Sequence, residues 1–347
     1  MSTTTRKRRR TNRTAGAQRV ETNRPHRHGA PLLHIDGYDR REIRLAERAA
    51  LSGDYDTAIT TLEAVIAAED LPTRLKVHLL KTLVDWCAQD ERWAEAGRHA
   101  SRGAALACAE LEENDELTFV ARNADLYWKC INGYALAAKR EYPRLIADVT
   151  AALGADHPLT HAARNNSAMP YKYCSDFKEA ANIYRDLAQD MRDQVGPRDI
   201  FLHTVYMNLA ETLALAGQIA DSNKVYEDLL ADLLDYRQPD DEMVLSIRHE
   251  IAGNVFAQGN IDEALQLWAL LRKDCQQHLG NHHPLTMQQH GVYLSVQLAE
   301  ENWSEAKNTC ELILNAPKSA ASPGWFDEIE TLAAVVAHFE AEPDLLQ

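Results

Sequence analysis

The chain predicts an all-α fold, a superhelix of about seven stacked helix hairpins closed by a C-terminal covering helix. Three observations predict it. The 347 residues hold only 15 glycines and 12 prolines, and 45% are apolar, a balance that suits long helices because Ala, Leu, Glu and Arg cost little there. A short motif recurs along the chain: a turn residue, then a bulky one, then a small one three positions later. A second, unrelated motif recurs in phase with the first.

Residues 1–38 come first and stand apart. Up to residue 28 they carry nine Lys or Arg against one acid, Glu21, a net charge of +8. The rest of the chain has 28 basic and 51 acidic side chains, a net −23. A segment this poor in apolar residues cannot offset its ordering entropy, so a flexible basic arm is expected. The acidic body should repel nucleic acid, and only the arm could attract a phosphate backbone or an acidic partner.

The hairpins follow from about residue 39 to 316. Gly53-Asp54-Tyr55 leads to Ala58, Trp93 to Ala96, and Ser175-Asp176-Phe177 to Ala180. Gly217-Gln218-Ile219 leads to Ser222, Gly259-Asn260-Ile261 to Ala264, and Asn302-Trp303 to Ala306. Phe177, Ile219, Ile261 and Trp303 are each 42 residues apart. In the first half, Tyr142 is the expected bulky residue of the third hairpin, with Leu145 in place of the small one. That assignment makes the repeat near 115–155 irregular. Each motif marks the turn between a first helix (A) and a second (B). The small residue allows A and B to cross closely. Apolar pairs continue helix B: Tyr184 and Leu187, Tyr226 and Leu229, Leu267 and Leu270, Cys310 and Ile313.

The second motif is Leu153-Gly154-Ala155-Asp156-His157-Pro158-Leu159-Thr160, which returns as Leu279-Gly280-Asn281-His282-His283-Pro284-Leu285-Thr286. The copies lie 126 residues apart, three periods of 42. Val195-Gly196-Pro197 falls one period after the first. Such segments end helix B, because Pro disfavours helix before it and can open the next one. After Pro323-Gly324, Ile329, Leu332, Val335, Val336 and Phe339 outline a last amphipathic helix, so residues 317–347 are expected to cover the open end of the stack.

These residues resemble the tetratricopeptide repeat, and more narrowly its 42-residue variety in kinesin light chains and many bacterial repeat proteins. The quoted copy, followed by Asn165-Asn166-Ser167-Ala168 and by Ser175 to Ala180, carries the likeness. The resemblance implies that A helices form the inner face and that peptides bind there. It also implies that an Asn two before the small Ala of helix A can pair with a peptide backbone. That row reads Asn166, Asn208, Glu250 and Val292, and the row before it Asn165, Met207, His249 and Gly291. Lys172 and Tyr173 lie toward the end of one A helix. The candidate peptide-binding residues are therefore Asn165, Asn166, Lys172, Asn208, His249 and Glu250. The same asparagines could instead bridge neighbouring helices, since an amide both donates and accepts.

Other chemistry finds little support. His282, His283 and His290 lack companions at ligand spacing, so no metal or cofactor is expected. There is no Gly-rich phosphate loop, GxSxG or HExxH, so no catalytic residues are expected. Arg6, Lys7, Arg8, Arg9 and Arg10 could meet nucleic-acid phosphates or an acidic partner, but no aromatic residue is interleaved for base stacking. Six isolated cysteines without a CxxC, and no apolar run of membrane-spanning length, lead to the expectation of a reducing, cytoplasmic setting. The expected function is a non-catalytic scaffold for proteins or peptides. The alternative is a peptide sensor whose arm contacts nucleic acid or an acidic partner.

Overall fold

The structure is a computed structural model that describes residues 41–67, 71–317, 320–321 and 323–341. The expected arm, including Arg6, Lys7, Arg8, Arg9 and Arg10, lies outside the described residues. Seven hairpins follow in chain order: α1 (Arg41–Leu51) with α2 (Tyr55–Ala67), α3 (Thr73–Gln89) with α4 (Trp93–Glu110), and α5 (Glu116–Ile131) with α6 (Ala135–Leu153). The fourth has a divided A helix, α7 (Pro158–Asn166) and α8 (Met169–Tyr173), paired with α9 (Phe177–Val195). Then come α10 (Ile200–Leu215) with α11 (Ile219–Leu234), α12 (Glu242–Ala257) with α13 (Ile261–His278), and α14 (Pro284–Ala299) with α15 (Trp303–Leu314). The last helix, α16 (Pro323–Ala341), packs on α15. No strand occurs among the described residues, and no helix there is long and apolar enough to cross a membrane.

The period of 42 extends further toward the N-terminus than the bulky residues indicate. B helices begin at Trp93, Ala135, Phe177, Ile219, Ile261 and Trp303, each 42 after the last. The third turn is therefore Asn132-Gly133-Tyr134, and not at Tyr142. Tyr142 sits inside α6, 1% exposed. It heads a column with Tyr184 and Tyr226, which are as deeply buried and 42 residues apart. The missed cue has a simple cause, since the bulky slot holds Ala135. The same register moves one later pair: in α13 the core positions are Trp268 and Leu271, while Leu270 is 60% exposed. Across all seven hairpins the small slot, Ala58, Ala96, Ala138, Ala180, Ser222, Ala264 and Ala306, is fully buried at the A–B crossing.

Local chemistry sets the helix ends. Asp115, His157, Asp199, Asp241 and His283 stand 42 apart as N-caps, each accepting from a backbone N–H of the first turn. The His before Pro in the linker motif is thus a cap: Leu159 N donates to His157 Nδ1 at 3.2 Å and Leu285 N to His283 Nδ1 at 3.3 Å. The division between α7 and α8 follows from Pro170, which has no N–H to continue the helix and whose ring would crowd the carbonyl four residues back. Within hairpins, Arg122 pairs with Asp148, Arg164 with Asp190 and Arg248 with Asp274, at 2.8, 2.6 and 2.8 Å. Each clamp ties an A helix to its B helix at the same register.

Candidate functional site

Helix α3 touches α5, and α5 touches both α7 and α8, so neighbouring hairpins meet directly through their A helices. From the second to the fourth hairpin the A helices therefore form the tighter side of the stack. On this side the side-chain amides join in series. Asn208 Nδ2 donates to Asn165 Oδ1 at 2.9 Å, Asn165 Nδ2 to Asn166 Oδ1 at 3.1 Å, and Asn166 Nδ2 to Asn123 Oδ1 at 3.4 Å. The relay crosses three hairpins, from α10 through α7 to α5. Asn208 is 2% and Asn165 9% exposed, while Asn166 and Asn123 are half-buried. The bridging geometry left open by the sequence is thus adopted by all four amides. The half-buried Asn123 and Asn166 keep donor and acceptor capacity beyond these bonds.

Lys172 lies close to this relay and is not free. Its Nζ meets Glu211 Oε2 at 2.8 Å, and the two side chains are only 12% and 19% exposed. Tyr127, Tyr173 and Tyr184 surround the pair. Burial pushes all three phenols up, with a smaller push from Glu211. Lys139 Nζ sits 3.9 Å from the centre of the Tyr171 ring. The wall is therefore amide and aromatic in character, with its charges paired, Lys172 with Glu211 and Lys139 with Asp176, the latter at 3.5 Å.

The remaining candidates lie two hairpins along. His249 is held by Gln289, with 3.0 Å between Gln289 Nε2 and His249 Nδ1. Burial lowers its pKa to about 4. Glu250 is half-buried and near enough to Tyr226 to add to the rise that burial causes in that phenol. The structure thus brings together Asn165, Asn166, Asn208 and Lys172, with His249 and Glu250 on the next A helix, α12, where Glu250 and Glu211 both act on the Tyr226 phenol. His290, read for metal and set aside in the sequence, is fully buried and accepts from Arg272 Nε at 3.2 Å. Among the described residues no group of three His, Cys, Asp or Glu side chains could hold a metal.

Sequence reasoning missed Asn123, Asn254 and Gln289. Asn123 stands 42 before Asn165, a signal hidden only by the misplaced third turn. Asn254 donates to Ser222 Oγ at 2.9 Å and to Asn223 Oδ1 at 2.7 Å, joining the sixth hairpin to the fifth. It has no amide partner one period away, so no row announced it.

No protein-family model and no curated protein matches the chain. Solved structures do. A putative kinesin light chain of Podosopora anserina with nearly identical tetratricopeptide-like repeats has a TM-score of 0.51 at 16% identity, over 60% of this chain and 98% of that one. BtubC from P. vanneervenii has a TM-score of 0.50 at 15% identity, over 70% and 94%. A Rap protein complexed with Competence and Sporulation Factor also reaches 0.50, at 11% identity over 85% and 75%. The chain has the fold of tetratricopeptide-like repeat proteins.

Proposed function

We propose that the protein is a non-catalytic scaffold that binds a peptide or an extended protein segment along the A helices of its third to fifth hairpins. The observation that carries this reading is the amide relay. It presents amide donors and acceptors along the A helices, with further capacity at the half-buried Asn123 and Asn166, and an extended backbone offers groups of the same kind. The repeat fold supports it as well, since a stack of hairpins exposes one long continuous wall. The fold leaves partner identity open, because function resides in the site.

The test begins with capture by the intact chain and identification by mass spectrometry. The partner is then measured by calorimetry against Asn166→Ala. Each lost hydrogen bond costs about 0.5–1.5 kcal/mol, so the expected weakening is between about twofold and tenfold with little change in melting. A partner that binds the variant as tightly as the parent places its site elsewhere.

The charge division favours a second reading for the N-terminal segment, in which its basic residues contact nucleic acid or an acidic partner. Deleting residues 1–28 would then abolish that contact and spare peptide binding. The reducing setting suggested by six isolated cysteines agrees with a cytoplasmic protein.

A further inference from the structure

Beside the relay, between α5, α6 and α7, lies a pocket of about 210 Å³. Phe119, Val120, Leu145, Val149, Leu159, Ala162 and Ala163 line it, and Asn123 is its single polar group. A second pocket, between α3, α4 and α5, holds about 20 Å³.

The repeat allows the pocket to be compared with the same place at neighbouring junctions. One period later, four of the lining positions carry larger residues. Val149 corresponds to Met191, Leu159 to Phe201, Ala162 to Thr204 and Ala163 to Val205. Met191 and Val205 are 1% and 0% exposed in a filled core. Larger side chains fill these positions at the next junction, while the preceding junction, lined at equivalent positions by Val77, Lys81, Gly103, Leu117, Val120 and Ala121, keeps the smaller pocket of about 20 Å³. Empty apolar space costs stability, because its lining atoms lack partners.

We propose that this pocket receives one bulky apolar side chain of an extended peptide whose flanking residues are basic. The size and the apolar lining select the anchor. Charge complementarity selects its neighbours: Glu116, Val120 and Asn123 share one face of α5 at helical spacing, and Glu116, whose Oε1 lies 3.8 Å from His157 Nε2, is 63% exposed at the end of that stripe. The body around it carries a net −23. Asn123 takes part in the relay through its Oδ1, which leaves its Nδ2 to donate to the carbonyl beside the anchor. The proposal rests on the groove reading and names the chemistry of its ligand.

The test uses three capped tripeptides, acetyl-Lys-Leu-Lys-amide, acetyl-Lys-Ala-Lys-amide and acetyl-Glu-Leu-Glu-amide, with methyl NMR of the full chain. The Leu peptide with Lys flanks is expected to give saturable shifts at Leu145, Val149 and Leu159. The other two should bind at least about tenfold more weakly. A variant that copies the filled junction, Val149→Met with Leu159→Phe and Ala163→Val, should melt at or above the parent temperature and lose the shifts. If the triple variant fails to fold, Leu159→Phe alone serves. Absence of saturable shifts, equal binding of the Ala peptide, or undiminished binding to a folded filled variant overturns the proposal. In that event, a captured partner still weakened by Asn166→Ala would leave the groove reading intact and remove the anchor alone.

Discussion

Asn208 and Asn166 occupy equivalent positions one repeat apart, yet the fold gives them different burdens. Asn208 is 2% exposed and supplies the proton that Asn165 accepts. Replacing it by Ala leaves a buried acceptor unpaired, so Asn208→Ala should lower stability by about 1–3 kcal/mol. Asn166 makes two relay bonds, at 3.1 and 3.4 Å, but it is half-buried and the groups it releases can turn to water, so Asn166→Ala should cost less, within about 1 kcal/mol. Parallel denaturant melts check the order, and the reverse order would mean that the relay does not hold the stack together. Histidine behaves differently from the amides. Burial, with a small opposing contribution from Gln289, holds His249 at about 4, and burial together with Arg272 does the same for His290. Both values lie below the unfolded value near 6.5. Between them the unfolded chain binds more protons, so stability is full above about pH 6.5 and declines as pH falls toward 4. Thermal melts from pH 7.5 to about 4 should show this decline, and it should be shallower in His249→Gln.

At the scale of the element, the A–B turn is the most constrained place in the repeat. Its left-handed residue recurs every 42 positions as Glu91, Gly133, Ser175, Gly217, Gly259 and Glu301. Glycine meets the requirement without strain, whereas Glu91, Ser175 and Glu301 hold φ of 59°, 61° and 56° against the Cβ clash. Ser175→Gly and Glu301→Gly should therefore each stabilise the chain by about 1 kcal/mol, read as a rise in denaturant midpoint. The gain is confined to this slot, since glycine inside a helix costs roughly as much as it would win here.

The whole molecule departs from a simple stack where its second hairpin meets the covering helix. A solenoid holds together through nearest neighbours. Here the Gly324 N–H, at the start of α16, donates to Glu91 Oε2 at 3.3 Å across 233 residues of sequence. The turn of the second hairpin thus meets the covering helix, and Trp325 packs against Gly291 of α14 with 3.3 Å to where a Cβ would stand. Glu91→Ala should accelerate amide exchange at Gly324 and leave exchange in α10 and α12 unchanged. Uniform acceleration along the chain would mean that the contact braces the whole superhelix.

The sequence by itself determined the repeat, its period and its handling of helix ends. These depend on local chemistry: a small residue at the crossing, a turn residue before it, a cap and a proline at the linker. Each signal is legible in a few consecutive residues, and the phase of one confirms the other. Where the local signal was weak, as at Ala135, the third hairpin was placed seven residues late and Asn123 was hidden with it. Only the tertiary structure decided which asparagines face one another, that Lys172 spends its charge on Glu211, and that a pocket opens between α5, α6 and α7. It alone brought Glu91 to Gly324. Those outcomes depend on distances between side chains some 40 to 230 residues apart, set by how successive hairpins stack, and no window of sequence contains that geometry.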